Sequence, residues 1–154
     1  MARLNPGEAA PDFQLPDQQD RKIGLKHFRG RKLLVYFYPK ADTPGCTRQA
    51  CSIRDAREFL ADLGLAVVGI SPDQPARQKK FDDKYNLAFP LLADPDHRVA
   101  EAYGVWGEKT LYGKKSLGIT RSSFLIDADG KIMQAWYGVK PEDTVPKAQK
   151  ALAG

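Results

Sequence analysis

The sequence predicts an α/β protein whose mixed sheet is flanked by helices on both faces. Two continuous apolar runs, residues 33–38 and 65–70, are each followed by a segment of helical periodicity. That order is typical of βαβ units, which pair their strands in parallel. Residues 122–127 and 131–137 are predicted as two further strands, joined by Ala128-Asp129-Gly130. This is a hairpin signal, so antiparallel strands are added to the parallel ones.

The other elements follow from turn and cap residues. Residues 1–30 carry several turn signals and have room for one short hairpin. A long helix is predicted from Cys46 to residue 63, with apolar residues at helical spacing and Gly64 as its stop. Further helices are predicted at 71–85, 94–103 and 141–152, a short extended piece at 89–92, and a basic, glycine-containing loop at 105–118. No repeat or linker interrupts the chain, which predicts one domain over residues 1–154.

Composition excludes several classes of protein. An apolar fraction of 42% and a charged fraction of 28% are ordinary for a globular domain. No window resembles a membrane span, and the first residues lack the apolar run of a signal peptide, so we expect a cytoplasmic protein. The net charge of +5 comes from scattered basic residues that do not interleave with aromatic ones. They indicate a solvated surface rather than a nucleic-acid interface.

The two cysteines, Cys46 and Cys51, indicate reactivity rather than stability. A disulfide between them would close a very short loop and would constrain the unfolded chain little. Cys46 follows the first buried strand and begins a helix, where unpaired N–H groups and the helix dipole favour a thiolate. Since the thiolate is the nucleophilic form, this position suits an attacking sulfur. Taken alone, Cys46 would be read as a small, inert core residue, and the residues that flank it reverse this interpretation.

The residues before Cys46 can complete a reactive site. Thr43 can offer its hydroxyl to a substrate oxygen, although a cap or turn role would explain it as well. Pro39 can shield the sulfur from solvent, or can simply end the strand. Pro44-Gly45 lets the backbone turn sharply and brings bare N–H groups close to the sulfur.

Cys51 lies five residues after Cys46, which has a geometric consequence. In an intact helix the two Cα atoms would be about 8.7 Å apart and the side chains about 140° apart around the axis. A disulfide needs Cα atoms within about 7 Å. A bond between these cysteines would therefore require residues 47–53 to unwind. The alternative is that Cys51 is a core residue that never pairs with Cys46.

This segment resembles the active site of the peroxiredoxins. Their pattern Pro-x-x-x-Thr-x-x-Cys is matched by Pro39, Thr43 and Cys46. Residues 43–51, with Arg54-Asp55 after them, resemble the bacterioferritin comigratory protein or peroxiredoxin Q subfamily. Residues 10–13, 103–109 and 118–127 match as well, so the resemblance spans nearly the whole chain. One departure is Ser52-Ile53, where the subfamily commonly has a glycine followed by an apolar residue.

The resemblance implies a thioredoxin-like fold with an N-terminal extension, and it implies residue roles. Cys46 would be the peroxidatic cysteine and Cys51 the resolving one. Arg121 would support the thiolate and the peroxide, and Thr43 and Pro39 would complete the pocket. The implied enzyme reduces hydrogen peroxide and organic hydroperoxides through a sulfenic acid and a Cys46–Cys51 disulfide. A thioredoxin-like dithiol would recycle it, and it would act as a monomer without metal or cofactor.

Two other classes remain open at this stage. A thiol–disulfide oxidoreductase acting on proteins would usually show Cys-x-x-Cys, whereas here four residues separate the cysteines. A non-catalytic binding or chaperone module could use the same scaffold, because fold does not fix function. A metal site or a Cys–His hydrolase is weakly indicated, since His27 and His97 lack ligand spacing and a recognisable motif.

Overall fold

The protein contains one five-stranded sheet and two hairpins. We describe it from a computed structural model, which covers residues 3–153 except the side chain of Leu111. The strands are β1 (Gln14–Pro16), β2 (Lys22–Gly24), β3 (Lys32–Phe37), β4 (Leu65–Ser71), β5 (Leu91–Ala93), β6 (Trp106–Leu111), β7 (Lys114–Ile119), β8 (Ser122–Ile126) and β9 (Ile132–Tyr137).

The large sheet has the strand order β5-β4-β3-β8-β9. β3 and β5 both run parallel to β4, while β8 is antiparallel to β3 and β9 is antiparallel to β8. The predicted parallel pairing and the late hairpin are both confirmed. β1 and β2 form the short N-terminal hairpin that the turn signals predict. This is the thioredoxin-like arrangement with an N-terminal extension that the resemblance implies.

The helices match the prediction in place but not always in length. Their bounds are α1 (Pro44–Asp55), α2 (Arg57–Asp62), α3 (Pro75–Tyr85), α4 (Arg98–Ala102) and α5 (Thr144–Ala153). The predicted single helix at 46–63 is wrong, because the helix is interrupted at Ala56, whose φ of −92° and ψ of 3° lie outside the helical region. Gly64 ends α2 in the left-handed region, with a φ of 74°, as predicted.

The loop predicted at 105–118 is also wrong, because these residues form the antiparallel hairpin of β6 and β7. Its turn is Tyr112-Gly113, with φ values of 53° and 77°. Two central residues with positive φ are typical of the tight hairpin turn whose twist matches its strands. Most of β7 is exposed to solvent. No apolar alternation therefore marks it in the sequence.

Two faces of the sheet are packed. Leu33, Val35 and Phe37 of β3 enter the cluster that includes α4 and the N-terminal segment. Leu34 and Tyr36 face the opposite side, where α1, α2, α3 and α5 pack. Helices therefore cover both faces, as predicted. Within residues 3–153, no helix is long and apolar enough to cross a membrane.

Candidate active site

Cys46 lies in the first turn of α1 with only 2% of its surface exposed. α1 begins at Pro44, two residues before the predicted start, and proline suits that position because its missing N–H would have no helical partner. Thr43 precedes it with extended backbone, and its carbonyl accepts the first helical hydrogen bond from Thr47 at 2.8 Å. The Cys46 sulfur therefore lies beyond the end of β3, near the backbone N–H groups of the first turn of α1, which have no partner within the helix.

Arg121 lies 75 residues after Cys46 in the sequence, but its side chain contacts the Cys46 sulfur in the fold. Its Nη2 donates to Sγ of Cys46 at 3.4 Å, and its Nη1 donates to Oε1 of Gln49 at 2.6 Å. β8 is antiparallel to β3, so the residue before β8 lies beside the end of β3. A guanidinium is always charged, so this contact stabilises a thiolate more than a thiol.

Gln49 is a site residue that the sequence analysis missed. Its side chain is fully buried, and its Nε2 donates to Oγ1 of Thr144 at the start of α5, at 2.8 Å. One side chain therefore holds the guanidinium and ties α1 to α5. The available signal was a glutamine on the otherwise apolar inward face of α1, because a buried amide needs specific partners.

Gly45 controls how closely the guanidinium can approach. A Cβ at this position would lie 3.1 Å from Nη2 of Arg121 and 3.5 Å from Cγ of Pro141. The first distance is shorter than an ordinary contact. The absence of a side chain at Gly45 therefore leaves the space that Arg121 occupies.

Thr43 and Pro39 lie in the segment that leads from β3 into α1. The Thr43 hydroxyl donates to the carbonyl of Lys40 at 2.8 Å and makes no side-chain cap. Of its predicted local roles, the turn is therefore present and the helix cap is not. The hydroxyl oxygen keeps its capacity to accept a hydrogen bond. Pro39 is half-buried, two residues after the end of β3.

Cys51 is half-buried in the middle of α1 and packs against the cluster that contains Cys46. Both cysteines are free thiols, and α1 is continuously helical from one to the other. The structure therefore holds the wound form of the helix.

Two buried tyrosines, Tyr36 and Tyr38, belong to the same core cluster as Cys46. Burial raises the pKa of Tyr36 well above its usual range, and charges on Tyr38 and Cys46 raise it further. Burial likewise raises the pKa of Tyr38, whose hydroxyl donates to Oε1 of Gln78 at 2.5 Å. Both phenols are therefore neutral, and they keep the dielectric around the sulfur low.

The histidines have other partners. His27 accepts a hydrogen bond from the backbone N–H of Gly24 at 2.8 Å. His97 stacks on Trp106, with ring centroids 3.9 Å apart. Among residues 3–153 no group of three or more His, Cys, Asp or Glu side chains could hold a metal ion.

A cysteine at a helix start, held by a guanidinium at the end of a thioredoxin-like sheet, is the arrangement expected of a thiol-dependent peroxidase. Comparison with known proteins agrees: the AhpC/TSA family model matches residues 6–135, and the chain belongs to this family. The peroxiredoxin Bcp of Escherichia coli K12 is 54% identical over 132 residues, which are 86% of this chain and 85% of that protein.

Solved structures give the same result. The bacterioferritin comigratory protein of Xanthomonas campestris, described for its alkyl peroxide reduction activity, has a TM-score of 0.89 and 32% identity, covering 97% of this chain and 98% of that one. The peroxidoxin BcpB of Mycobacterium tuberculosis has a TM-score of 0.87 and 33% identity, covering 98% and 97%. The resemblance to this subfamily is confirmed, and the protein is a peroxidase rather than a member of the two alternative classes.

Proposed function

We propose that the Cys46 thiolate reduces hydrogen peroxide and organic hydroperoxides. The observation that carries this is the hydrogen bond of 3.4 Å from Arg121 to the sulfur of a buried cysteine at a helix start. The sulfur attacks one oxygen, the O–O bond breaks, and the leaving oxygen takes a proton to become water or an alcohol. Cys46 is then a sulfenic acid, two electrons more oxidised than the thiolate.

The developing negative charge on the leaving oxygen needs donors. We assign this role to the Arg121 guanidinium and the backbone N–H of Cys46. The Thr43 hydroxyl donates its proton to the carbonyl of Lys40, so it offers the peroxide an acceptor rather than the donor expected from the sequence. Pro39 limits the access of solvent to the same space. Donors fixed before the reaction act strongly in a buried site, because the low dielectric does not screen them.

The sulfenic acid is resolved within the chain in this proposal. The Cys51 sulfur attacks the Cys46 sulfur, an S–S bond forms, and the hydroxyl leaves with a proton as water. Because an intact helix keeps the two Cα atoms about 8.7 Å apart, α1 must first unwind over residues 47–53. A thioredoxin-like dithiol then reduces the disulfide by exchange and is itself oxidised.

The partners and location follow from this chemistry. A disulfide between two cysteines of one chain requires no second subunit, which supports action as a monomer. A dithiol reductant is available in reducing compartments, which supports a cytoplasmic location. The steps above use only the protein's own side chains, the peroxide and the dithiol.

Trypsin offers a direct test, because cleavage after Lys40, Arg48 and Arg54 separates the cysteines into peptides 41–48 and 49–54. After one equivalent of peroxide, we expect mass spectrometry to find these two peptides joined, with a mass lower than their sum by two hydrogen atoms. Cys46→Ser should abolish peroxide consumption, and Cys51→Ser should leave peptide 41–48 as sulfenic or sulfinic acid.

The outcomes separate the two roles. Peroxide consumption retained by Cys46→Ser would remove Cys46 as the nucleophile. Sulfinic acid at Cys46 beside a free Cys51 in the unaltered protein would remove the resolving role and leave the nucleophile in place.

A further inference from the structure

Lys109 brings a second positive charge towards the sulfur from the β6–β7 hairpin. Its side chain is half-buried, and its Nζ donates to the carbonyl of Ile119 at 2.6 Å. Burial lowers the pKa of Lys109 and the nearby Arg121 charge lowers it further, whereas negative charge on Cys46 raises it. The hydrogen bond to Ile119 fixes the Lys109 ammonium beside the segment that leads, two residues later, to Arg121, which contacts the sulfur.

The β6–β7 hairpin leaves room for the Lys109 side chain to cross from β6 over β7. Lys109 lies on β6, and its Cδ is 3.3 Å from where a Cβ of Gly118 on β7 would be. The aliphatic stem therefore crosses the neighbouring strand over a residue without a side chain. Ile119, which accepts from Nζ, lies two residues before Arg121.

Lys109 is half-buried, whereas the other lysines that the structure describes are exposed. Lys79 and Lys84 each contact a carboxylate, at 2.7 Å and 2.9 Å. The part of the chain that the structure describes gives Lys109 no salt bridge. Its neighbour Glu108 pairs instead with Lys115, at 3.6 Å.

Two like charges held close together in a partly buried place destabilise each other unless an anion lies near both. The Cys46 thiolate is such an anion. We propose that Lys109 is a positioning residue of the active site, whose charge, together with that of Arg121, holds the Cys46 sulfur as a thiolate. This rests on the proposed role of Cys46 as the nucleophile.

The test compares three variants with the unaltered protein. Lys109→Gln removes the charge and keeps much of the stem, Lys109→Arg keeps the charge, and Lys115→Gln is the control on the exposed side of the same hairpin, where the Lys115 side chain is 74% exposed. Urea unfolding checks that all three fold. The rate of iodoacetamide alkylation is followed against pH on peptide 41–48, which contains Cys46 but not Cys51.

Other groups around the sulfur also bear on its pH profile. The titratable and charged side chains that act on or neighbour Cys46 are Arg121, Lys109, Tyr36, Tyr38 and Cys51. The guanidinium stays charged and the buried tyrosines stay neutral in the range where thiols titrate. The Cys51→Ser background removes the remaining thiol from the comparison.

We expect Lys109→Gln to move the midpoint of the alkylation profile upward by about half a pH unit, and to slow oxidation by peroxide about threefold below that midpoint. Lys109→Arg should restore most of the profile, and Lys115→Gln should leave it unchanged. A Lys109→Gln profile that superimposes on that of the unaltered protein would overturn the inference. So would a Lys109→Arg variant that folds normally and behaves like Lys109→Gln.

The same data distinguish this inference from the proposed function. If the alkylation profile moves as expected but peroxide does not oxidise peptide 41–48, Lys109 acts on the sulfur and the peroxidatic role of Cys46 fails. If peroxide oxidises the peptide at equal rates in all variants, Cys46 stands and Lys109 fails.

Discussion

Replacing Gly45 by alanine tests whether the distance between Arg121 and the sulfur sets the rate. Gly45 is the second residue of α1 and does not have a positive φ, so the backbone accepts alanine. The new Cβ would lie 3.1 Å from Nη2 of Arg121. The guanidinium therefore has to retreat by a few tenths of an ångström.

The size of the effect can be worked from that retreat. Nη2 already lies 3.4 Å from Sγ, so any lengthening weakens the bond. A hydrogen bond to a charged group contributes about 1.5–3 kcal/mol, and losing roughly half of it, about 1 kcal/mol, slows a reaction about fivefold. Alanine in place of glycine within a helix stabilises the fold by up to about 1 kcal/mol. The reaction rate and the stability should therefore move in opposite directions.

The assay measures both quantities on the same samples. The oxidation of Cys46 by peroxide gives the second-order rate constant, and urea unfolding gives the free energy of unfolding. Gly107→Ala is the matched control, because Gly107 lacks a positive φ and a Cβ there would contact nothing within 4 Å. A Gly45→Ala variant that gains stability and keeps the full oxidation rate would refute the reasoning.

Three further predictions concern buried hydroxyls. The Tyr36 hydroxyl has no hydrogen-bond partner among the described residues, so Tyr36→Phe should leave the free energy of unfolding unchanged or raise it by about 1 kcal/mol. Tyr38→Phe breaks the bond to Gln78 and should lower it by about 1–3 kcal/mol; equal losses in urea unfolding would contradict the assignment. Thr144→Val removes the acceptor of the Gln49 amide and should speed formation of the Cys46–Cys51 disulfide several-fold, measured as linked peptides 41–48 and 49–54. Slower or unchanged disulfide formation would contradict this prediction.

The strands that the sequence predicts well are those buried on both faces. β3 is a continuous apolar run because each of its faces meets a helix layer or the N-terminal segment, so its signal survives in a single sequence. The β6–β7 hairpin has no such signal, because most of β7 faces solvent and its register depends on Tyr112-Gly113. The interruption of the helix at Ala56 likewise leaves no signal in the sequence, since alanine is a strong helix former.

The residues of the candidate site also differ in how well the sequence predicts them. Pro39, Thr43 and Cys46 lie within one short segment, so their pattern can be found in the sequence. Arg121 lies 75 residues after Cys46 and is brought to the sulfur by the pairing of β3 with β8. The resemblance supplied that residue, whereas spacing alone could not. The parts played by Gln49 and Gly45 depend on where the guanidinium lies, so only the structure gives them.

In the proposed reaction, the charge on the sulfur also governs the stability of the helix. Gln49 binds Arg121 and Thr144 at once, so the thiolate, the guanidinium and α5 together hold the first turns of α1. A sulfenic acid is neutral, so its formation removes the charge-assisted part of the Arg121 contact and lowers the cost of unwinding.

The proposed unwinding of α1 would stop before α2. α1 ends at Asp55, before the break at Ala56, while Leu60 of α2 is held in the core with Leu34. Residues 47–53 can therefore leave the helix without dislodging α2 from the sheet. In the proposed reaction, the step that creates the sulfenic acid also weakens the contact that stabilises the wound helix, so oxidation by itself would prepare the attack of Cys51.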